Sequence, residues 1–183
     1  MGIPFQHVGI NVSSADLCGG AVGQVLAAAL ERERVPLTHV ILEVTETVYM
    51  GRGDQAIRAL RADGIRVALD DFGTGFASLT HLLTVPVDVI KIDKLFVDHL
   101  EPDGVSVTIV EGLIRTAKKM GIKIVAEGIE TEEQVEQLRA IGCALGQGYI
   151  FSPAVNRDTT TALLLGHAQG IARPPIETRS GAA

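Results

Sequence analysis

Cysteine is rare in this 183-residue chain, and its rarity excludes two kinds of protein. The two cysteines, Cys18 and Cys143, belong to no CxxC pair and to no cluster with histidines. A disulfide-stabilised secreted fold and a structural zinc site are therefore excluded. We expect both residues to be buried free thiols in a reducing compartment.

Positive charge is also in short supply. Lysine and arginine number 16 against 22 aspartates and glutamates, which gives a net charge of −6. Because no basic surface is available to neutralise phosphates, we expect no binding to DNA or RNA polymers. Bound cations could still bring a phosphate ligand to a protein this acidic.

Signals for secretion or membrane insertion are missing as well. The first residues, MGIPFQHVGINVSS, contain neither a basic n-region nor an apolar h-region. No apolar run approaches the roughly 20 residues that span a bilayer. We therefore expect a cytoplasmic protein, or a soluble piece of a larger one, with no membrane contact in this segment.

The chain alternates between short Val/Ile-rich runs and longer stretches of helical periodicity. This pattern predicts strands at 7–12, 39–46, 65–72, 88–93, 123–129 and 148–151. It predicts helices at about 21–34, 54–63, 76–83, 105–120, 132–141 and 158–167. Glycines 64, 121 and 142 each follow a predicted helix, as C-terminal caps do. Thr131 and Gln134 predict a capping box.

Apolar strands separated by helices are typical of a parallel sheet covered by helices. Six such units without a glycine-rich fingerprint after the first strand favour a barrel over a dinucleotide-binding fold. We therefore predict an α/β fold of the TIM-type (β/α) barrel class. The C-terminal residues 169–183 contain two prolines and no apolar period, and we expect them to be disordered.

Polar side chains end almost every predicted strand. They are Asn11, Glu43, Glu46, Asp70, Asp71, Lys91, Asp93, Glu127 and Glu130. In a (β/α) barrel these strand ends converge on one face, where active sites are built. Bunched carboxylates repel one another unless something neutralises them, and divalent cations do so economically. Carboxylate and amide oxygens suit Mg²⁺, Mn²⁺ or Ca²⁺.

Residue chemistry alone leaves the reaction open. The adjacent Asp70 and Asp71 could serve two metal ions about 3.5–4 Å apart, a common device for phosphodiester hydrolysis. Other metal-assisted barrel reactions, such as enolisation or aldol cleavage, use similar ligands. The strand-end pattern therefore predicts metal-assisted chemistry without selecting the substrate.

Five segments carry a resemblance to a known family. They are GINVSSADL, ILEVTET, VALDDFGTGFASLTHLLTVPVDVIKID, IVAEGIET and LGQGYIFSPA. In order and spacing they resemble the EAL family, from about residue 7 to about residue 166. Members of that family are barrel-type phosphodiesterases that hydrolyse cyclic di-GMP to linear pGpG with Mg²⁺ or Mn²⁺. The resemblance implies the same activity, cofactors and small-molecule partner here.

The resemblance also implies a role for each matching residue. The implied metal ligands are Asn11, Glu43, Asp70, Asp71 and Glu127. Asp71 would also orient the attacking water, and Lys91 would touch that water or an oxygen bound to metal. Gln147 would lie near the nucleophilic water, and Glu130 would steady the loop that follows Asp71. Glu46 is expected to support the ligands without binding metal, and Asp93 is expected to be structural.

One departure from the family pattern affects these expectations. The E-[AV]-L segment, whose glutamate is a metal ligand in the family, does not occur in the 183 residues. By chain position, HVGINV corresponds to the third strand of the domain. We therefore expect residues 1–168 to form an N-terminally truncated EAL domain, a six-stranded incomplete barrel lacking its first two strands.

Truncation would impair hydrolysis and leave open sheet edges, which favour association into a homodimer. The alternative is a catalytically inactive module that binds cyclic di-GMP or another protein, and a gene remnant without function is the third reading. The resemblance also allows an upstream sensor or cyclase-type domain in a longer protein.

Overall fold

Six strands form one parallel sheet in the computed structural model, which describes residues 7–18, 20–49, 54–73, 87–101 and 104–168. The strands are Val8–Asn11 (β1), Val40–Thr45 (β2), Arg66–Phe72 (β3), Val89–Ile92 (β4), Lys123–Ala126 (β5) and Leu145–Gly146 (β6). Each strand pairs in parallel with the next one along the chain. The strand order follows the chain and never reverses direction across the sheet, as in a (β/α) barrel. The sheet curls into an incomplete barrel.

Helices connect the strands on the outside of this sheet. They are Ser14–Cys18 (α1), Val22–Glu33 (α2), Glu46–Tyr49 (α3), Asp54–Ala62 (α4), Lys94–Asp98 (α5), Val105–Met120 (α6), Glu132–Ala140 (α7) and Arg157–Ala168 (α8). A 3₁₀ turn covers Leu37–His39. None of the described helices has the length and apolar character of a membrane span.

The predicted caps are confirmed. Glycines 64, 121 and 142 have φ values of 88°, 74° and 87°, which ordinary residues rarely adopt. Thr131 accepts a hydrogen bond from the Gln134 amide, and the Gln134 side chain accepts one in return. Cys143 is a buried free thiol, as expected. The predicted helix at 76–83, the tail 169–183 and the side chain of Cys18 lie outside the described residues.

The last strand was predicted in the wrong place. The aromatic run at 148–151 forms a turn, and β6 lies earlier, at Leu145–Gly146. Gly148 packs so closely on Ile129 that an added Cβ would lie 2.1 Å from the Ile129 carbonyl oxygen. The Phe151 amide then donates to the Gly148 carbonyl, which closes the turn.

Four short elements were also missed by the sequence analysis: α1, the 3₁₀ turn, α3 and α5. Each has five residues or fewer, which is too short to show a helical period. Glu46 was predicted to end a strand and instead begins α3.

Two separate apolar clusters lie on the two faces of the sheet. The larger one joins the outer face to the helices and includes Leu42, Leu69 and Ile90. The smaller one lies on the inner face and consists of Ile41, Ala68 and Val89, with Val125 packed against it. Because strand side chains alternate between faces, residues two positions further along share that inner face. Those residues are Glu43, Asp70, Lys91 and Glu127.

Candidate functional site

Lys91 lies at the centre of the charged group above the inner cluster. Its Nζ is 2.7 Å from Oε2 of Glu43, 3.0 Å from Oδ1 of Asp70 and 2.6 Å from Oε1 of Glu127. These four side chains come from four adjacent strand ends, β2 to β5, which the parallel register brings together. One ammonium group therefore holds three carboxylates at the carboxyl edge of the sheet.

Burial raises the free-energy cost of keeping these side chains charged. Lys91 is only 6% exposed and Asp70 only 8%. Burial alone would lower the pKa of Lys91, but hydrogen bonds to the three carboxylates raise it well above its usual range. Burial raises the pKa of Glu127 to about 7, with a further contribution from Asp70, and the opposing effect of Lys91 does not compensate for them. The site keeps an excess of negative charge.

A bulge in β3 brings Asp70 and Asp71 to the same site. The register with β4 shifts between Leu69 and Phe72, and Asp71 has a φ of 55°. A left-handed conformation is costly for a residue other than glycine and often marks a functional position. The Asp71 amide donates to Asp70 Oδ1 at 3.1 Å. Burial, together with repulsion from Asp70, raises the pKa of the Asp71 carboxyl.

The donor set fits a hard divalent cation. One carboxylate oxygen each from Asp70, Asp71 and Glu127 lies within 4.8 Å of the other two. All the donors are oxygens, which suit Mg²⁺, Mn²⁺ or Ca²⁺ better than zinc. Asn11 at the end of β1 pairs in register with Glu43, which places it at the same edge of the sheet.

Gly9 lies against the site, and the sequence analysis did not single it out. It lies one strand over from Glu43, and an added Cβ would come within 2.0 Å of Glu43 Oε1. A side chain at position 9 would therefore displace the Glu43 carboxylate from its present position against β1. A glycine inside a predicted strand is the signal that could have shown it.

The loop after Asp71 is held by Glu46. The Gly73 amide donates to Glu46 Oε1 at 2.7 Å, and Glu46 is buried. Glu130, which was expected to steady this loop, pairs with Lys94 at 3.1 Å. Residues 74–86, which follow Gly73 in the chain, lie outside the described residues. In the part of the loop that the structure describes, Glu46 provides the contact.

Gln147 and Asp93 occupy different environments. The Gln147 side-chain amide donates to Oε1 of Glu127, next to Lys91, so this residue belongs to the site. Asp93 accepts a hydrogen bond from the Leu95 amide at 2.8 Å and caps α5. That contact gives Asp93 a structural role.

Comparisons with known proteins place this chain among its relatives. The model of the family described as "EAL domain" matches residues 2–154. The cyclic di-GMP phosphodiesterase PdeL of Escherichia coli K12 is 39% identical over 160 residues, covering 81% of this chain and 42% of PdeL.

Solved structures agree with the fold. The EAL domain of Mycobacterium smegmatis DcpA superposes with a TM-score of 0.81 at 34% identity, covering 92% of this chain and 75% of that one. The manganese and cyclic di-GMP complex of Klebsiella pneumoniae BlrP1 superposes with a TM-score of 0.75 at 34% identity. The match covers 80% of this chain and 38% of that one.

The chain spans less than half the length of the first curated relatives that it matches. The family match nevertheless includes every residue of the site described above, from Gly9 to Gln147. This protein therefore belongs to the EAL domain family.

Proposed function

We propose that the strand-end site hydrolyses cyclic di-GMP to linear pGpG with Mg²⁺ or Mn²⁺. The observation that carries the proposal is the convergence of Asp70, Asp71 and Glu127 oxygens within 4.8 Å of one another. Two similar proteins support the substrate, since one is a cyclic di-GMP phosphodiesterase and the other was solved with manganese and this dinucleotide.

The chain offers five residues to hold the cations. They are Asn11, Glu43, Asp70, Asp71 and Glu127. Two divalent cations at such a site activate water and stabilise the charge on the displaced oxygen. Lys91 and Glu46 lie beside this set, and their contacts keep the carboxylates and the following loop in place.

Lys91 acts as a permanent hydrogen-bond donor in this proposal. Its raised pKa keeps the side chain protonated at neutral pH, so it does not serve as a general base. A buried ammonium group stabilises negative charge that develops on nearby phosphate oxygens. The raised pKa of Asp71 suits a carboxylate that accepts a hydrogen bond from the attacking water.

A second candidate function is binding of cyclic di-GMP without turnover. It is favoured by one observation, which is that the 183 residues contain no E-[AV]-L segment and so lack one ligand of the family pattern. Loss of a group that positions a metal ligand often costs about 10–100-fold in affinity or activity. We therefore propose weak turnover for residues 1–168 alone.

Chromatographic assay of pGpG with Mn²⁺ present tests both candidates. The chain is compared with a version extended at its amino terminus by the E-[AV]-L segment of an EAL-family phosphodiesterase. We expect pGpG from the extended version and at least about 10-fold less from the short one. Asp71→Asn should abolish most activity, whereas Arg115→Ala, which removes an exposed pair with Glu111 on α6, should not.

Two results would contradict these proposals. Absence of pGpG in the extended version, with calorimetric binding of cyclic di-GMP retained, would favour the binding module. Rapid turnover by the short chain would contradict its proposed impairment.

A further inference from the structure

Four polar side chains connect α5 with the amino-terminal end of α7. Lys94 Nζ lies 2.7 Å from Asp98 Oδ1 on α5 and 3.1 Å from Glu130 Oε1, just before α7. Gln134 of α7 donates to Asp98 Oδ1 at 3.3 Å and accepts from the Glu130 amide at 2.8 Å. We refer to these four residues as the α5–α7 bridge.

The bridge encloses the turn that follows Glu127. Gly128 has a φ of 66°, and an added Cβ would lie 2.5 Å from Cγ of Lys94. The stem of Lys94 therefore packs directly on the backbone of this turn. Its ammonium group lies 3.5 Å from the Gly128 carbonyl oxygen while it pairs with Glu130.

The same turn determines where two site residues lie. The Glu127 amide donates to the Ile92 carbonyl at 3.0 Å, which anchors the start of the turn. The Ile129 amide donates to the Gln147 carbonyl at 3.1 Å, which ties the end of the turn to Gln147. The Gln147 amide also donates to the Ala126 carbonyl at 2.8 Å, so Glu127 and Gln147 are attached to the two ends of the turn and a displacement of the turn acts on both.

We propose that Lys94 is a positioning residue for the metal site, because it fixes the Gly128 turn and so sets the positions of Glu127 and Gln147. This inference rests on the proposed function of the site. Lys94 itself contacts neither Asp70 nor Asp71 in the contacts described above, so it acts through the turn. It adds a residue at the β4–α5 junction to those on which metal binding depends.

Because the bridge is exposed, an effect of Lys94 on the position of the turn can be measured separately from an effect on the stability of the fold. The side chains of Lys94 and Glu130 are 42% and 49% exposed, and ion pairs so exposed contribute little to folding. Removing the ammonium group should therefore leave the fold intact and loosen only the turn. A change in metal affinity without a change in thermal unfolding is the expected signature.

Mn²⁺ titration followed by electron paramagnetic resonance tests the proposal. We expect Lys94→Ala to raise the dissociation constant by about 3–5-fold, because an ion pair this exposed stabilises the turn only weakly. Lys94→Met, which keeps most of the stem, should have a smaller effect, and Lys94→Arg should restore nearly normal affinity. Arg115→Ala, at a comparably exposed pair on α6, should leave the dissociation constant unchanged.

Amide hydrogen exchange without metal provides a second readout. Lys94→Ala should speed exchange at Gly128, Ile129 and Glu130, while exchange at Leu113 and Ile114 on α6 stays the same. Unchanged exchange at the turn, or unchanged Mn²⁺ affinity in Lys94→Ala, would overturn the positioning role. If the proposed metal site is itself wrong, Asp70→Asn will leave the Mn²⁺ affinity unchanged. That result distinguishes failure of the site from failure of the positioning role of Lys94.

Discussion

At the scale of single residues, the site combines the buried ammonium group of one lysine with a larger number of carboxylates. Lys91 reaches Glu43, Asp70 and Glu127 at 2.6–3.0 Å. Burying an ion pair costs desolvation energy, and removing one partner leaves an uncompensated charge. Lys91 therefore contributes to stability as long as no other cation neutralises the carboxylates.

Replacement of Lys91 should make folding depend on metal ions. In EDTA, we expect Lys91→Met to lower the free energy of unfolding by about 3 kcal/mol, because three carboxylates lose their counterion. Mn²⁺ should restore more stability to this variant than to the wild type, as measured by urea denaturation. Lys118→Met on α6 is the control, and an equal loss there would contradict this interpretation.

The glycine at position 9 offers a second test at this scale. Gly9→Ala places a Cβ within 2.0 Å of Glu43 Oε1, so the carboxylate must move and Mn²⁺ affinity should fall about 10-fold. In Gly112→Ala the new Cβ meets no atom within 4 Å, so affinity should stay normal. A glycine inside a helix also costs about 0.5–1 kcal/mol relative to alanine, so this control should be slightly more stable. Normal affinity in Gly9→Ala would contradict a role for Gly9 in positioning the Glu43 carboxylate.

At the scale of elements, the amino ends of the strands are joined by Asp88. Its carboxylate accepts from Arg61 of α4 at 2.7 and 3.1 Å and from the Val67 amide of β3 at 2.9 Å. Its own backbone bonds to Val67 and to Lys123 of β5. One residue thus ties α4 to three neighbouring strands, at the end of the sheet opposite to Lys91 and its carboxylates.

The pH dependence of stability should report this junction. Burial favours the neutral carboxyl, but the hydrogen bonds from Arg61 and Val67 outweigh it and lower the pKa of Asp88. Stability from Asp88 is then present above the unfolded pKa near 4 and is lost as the pH falls below it. We expect Asp88→Asn to cost about 1–2 kcal/mol at pH 7 and less at pH 3, measured by urea denaturation. Asp158→Asn, at an exposed pair on α8, should show no such change.

At the scale of the whole molecule, the sheet has an exposed edge at β1. All four residues of β1 are exposed, and within the described residues this strand pairs only with β2. Val8 and Ile10 are 52% and 38% exposed, and Ile10 borders an apolar cleft of about 480 Å³ beside α2. Exposed apolar edge strands favour pairing with another chain.

Self-association through this edge is therefore expected. Sedimentation velocity should show a concentration-dependent dimer, and Val8→Lys should weaken it because charge on an edge strand opposes strand pairing. Val105→Lys, at the equally apolar but helical start of α6, should leave it unchanged. A monomer at every concentration would contradict this prediction.

Local patterns in the sequence were enough to predict much of the fold. Apolar runs located five of the six strands, and the glycines after α4, α6 and α7 located the helix ends, because these signals depend only on neighbouring residues. The strand-end carboxylates also predicted a shared metal site, since parallel strands bring their carboxyl ends to one edge. The acidic pair Asp70–Asp71 was identifiable without any coordinates.

Contacts between distant parts of the chain were decided only by the tertiary structure. Sequence could not show that Lys91 joins three carboxylates, that Glu46 accepts a hydrogen bond from Gly73, or that Gly9 lies against the Glu43 carboxylate. The β3 bulge, which brings Asp71 to the same site as Asp70, also depends on the register with β4. Register and side-chain packing arise when separate strands meet, and a shift of one residue would send each of these side chains to the opposite face.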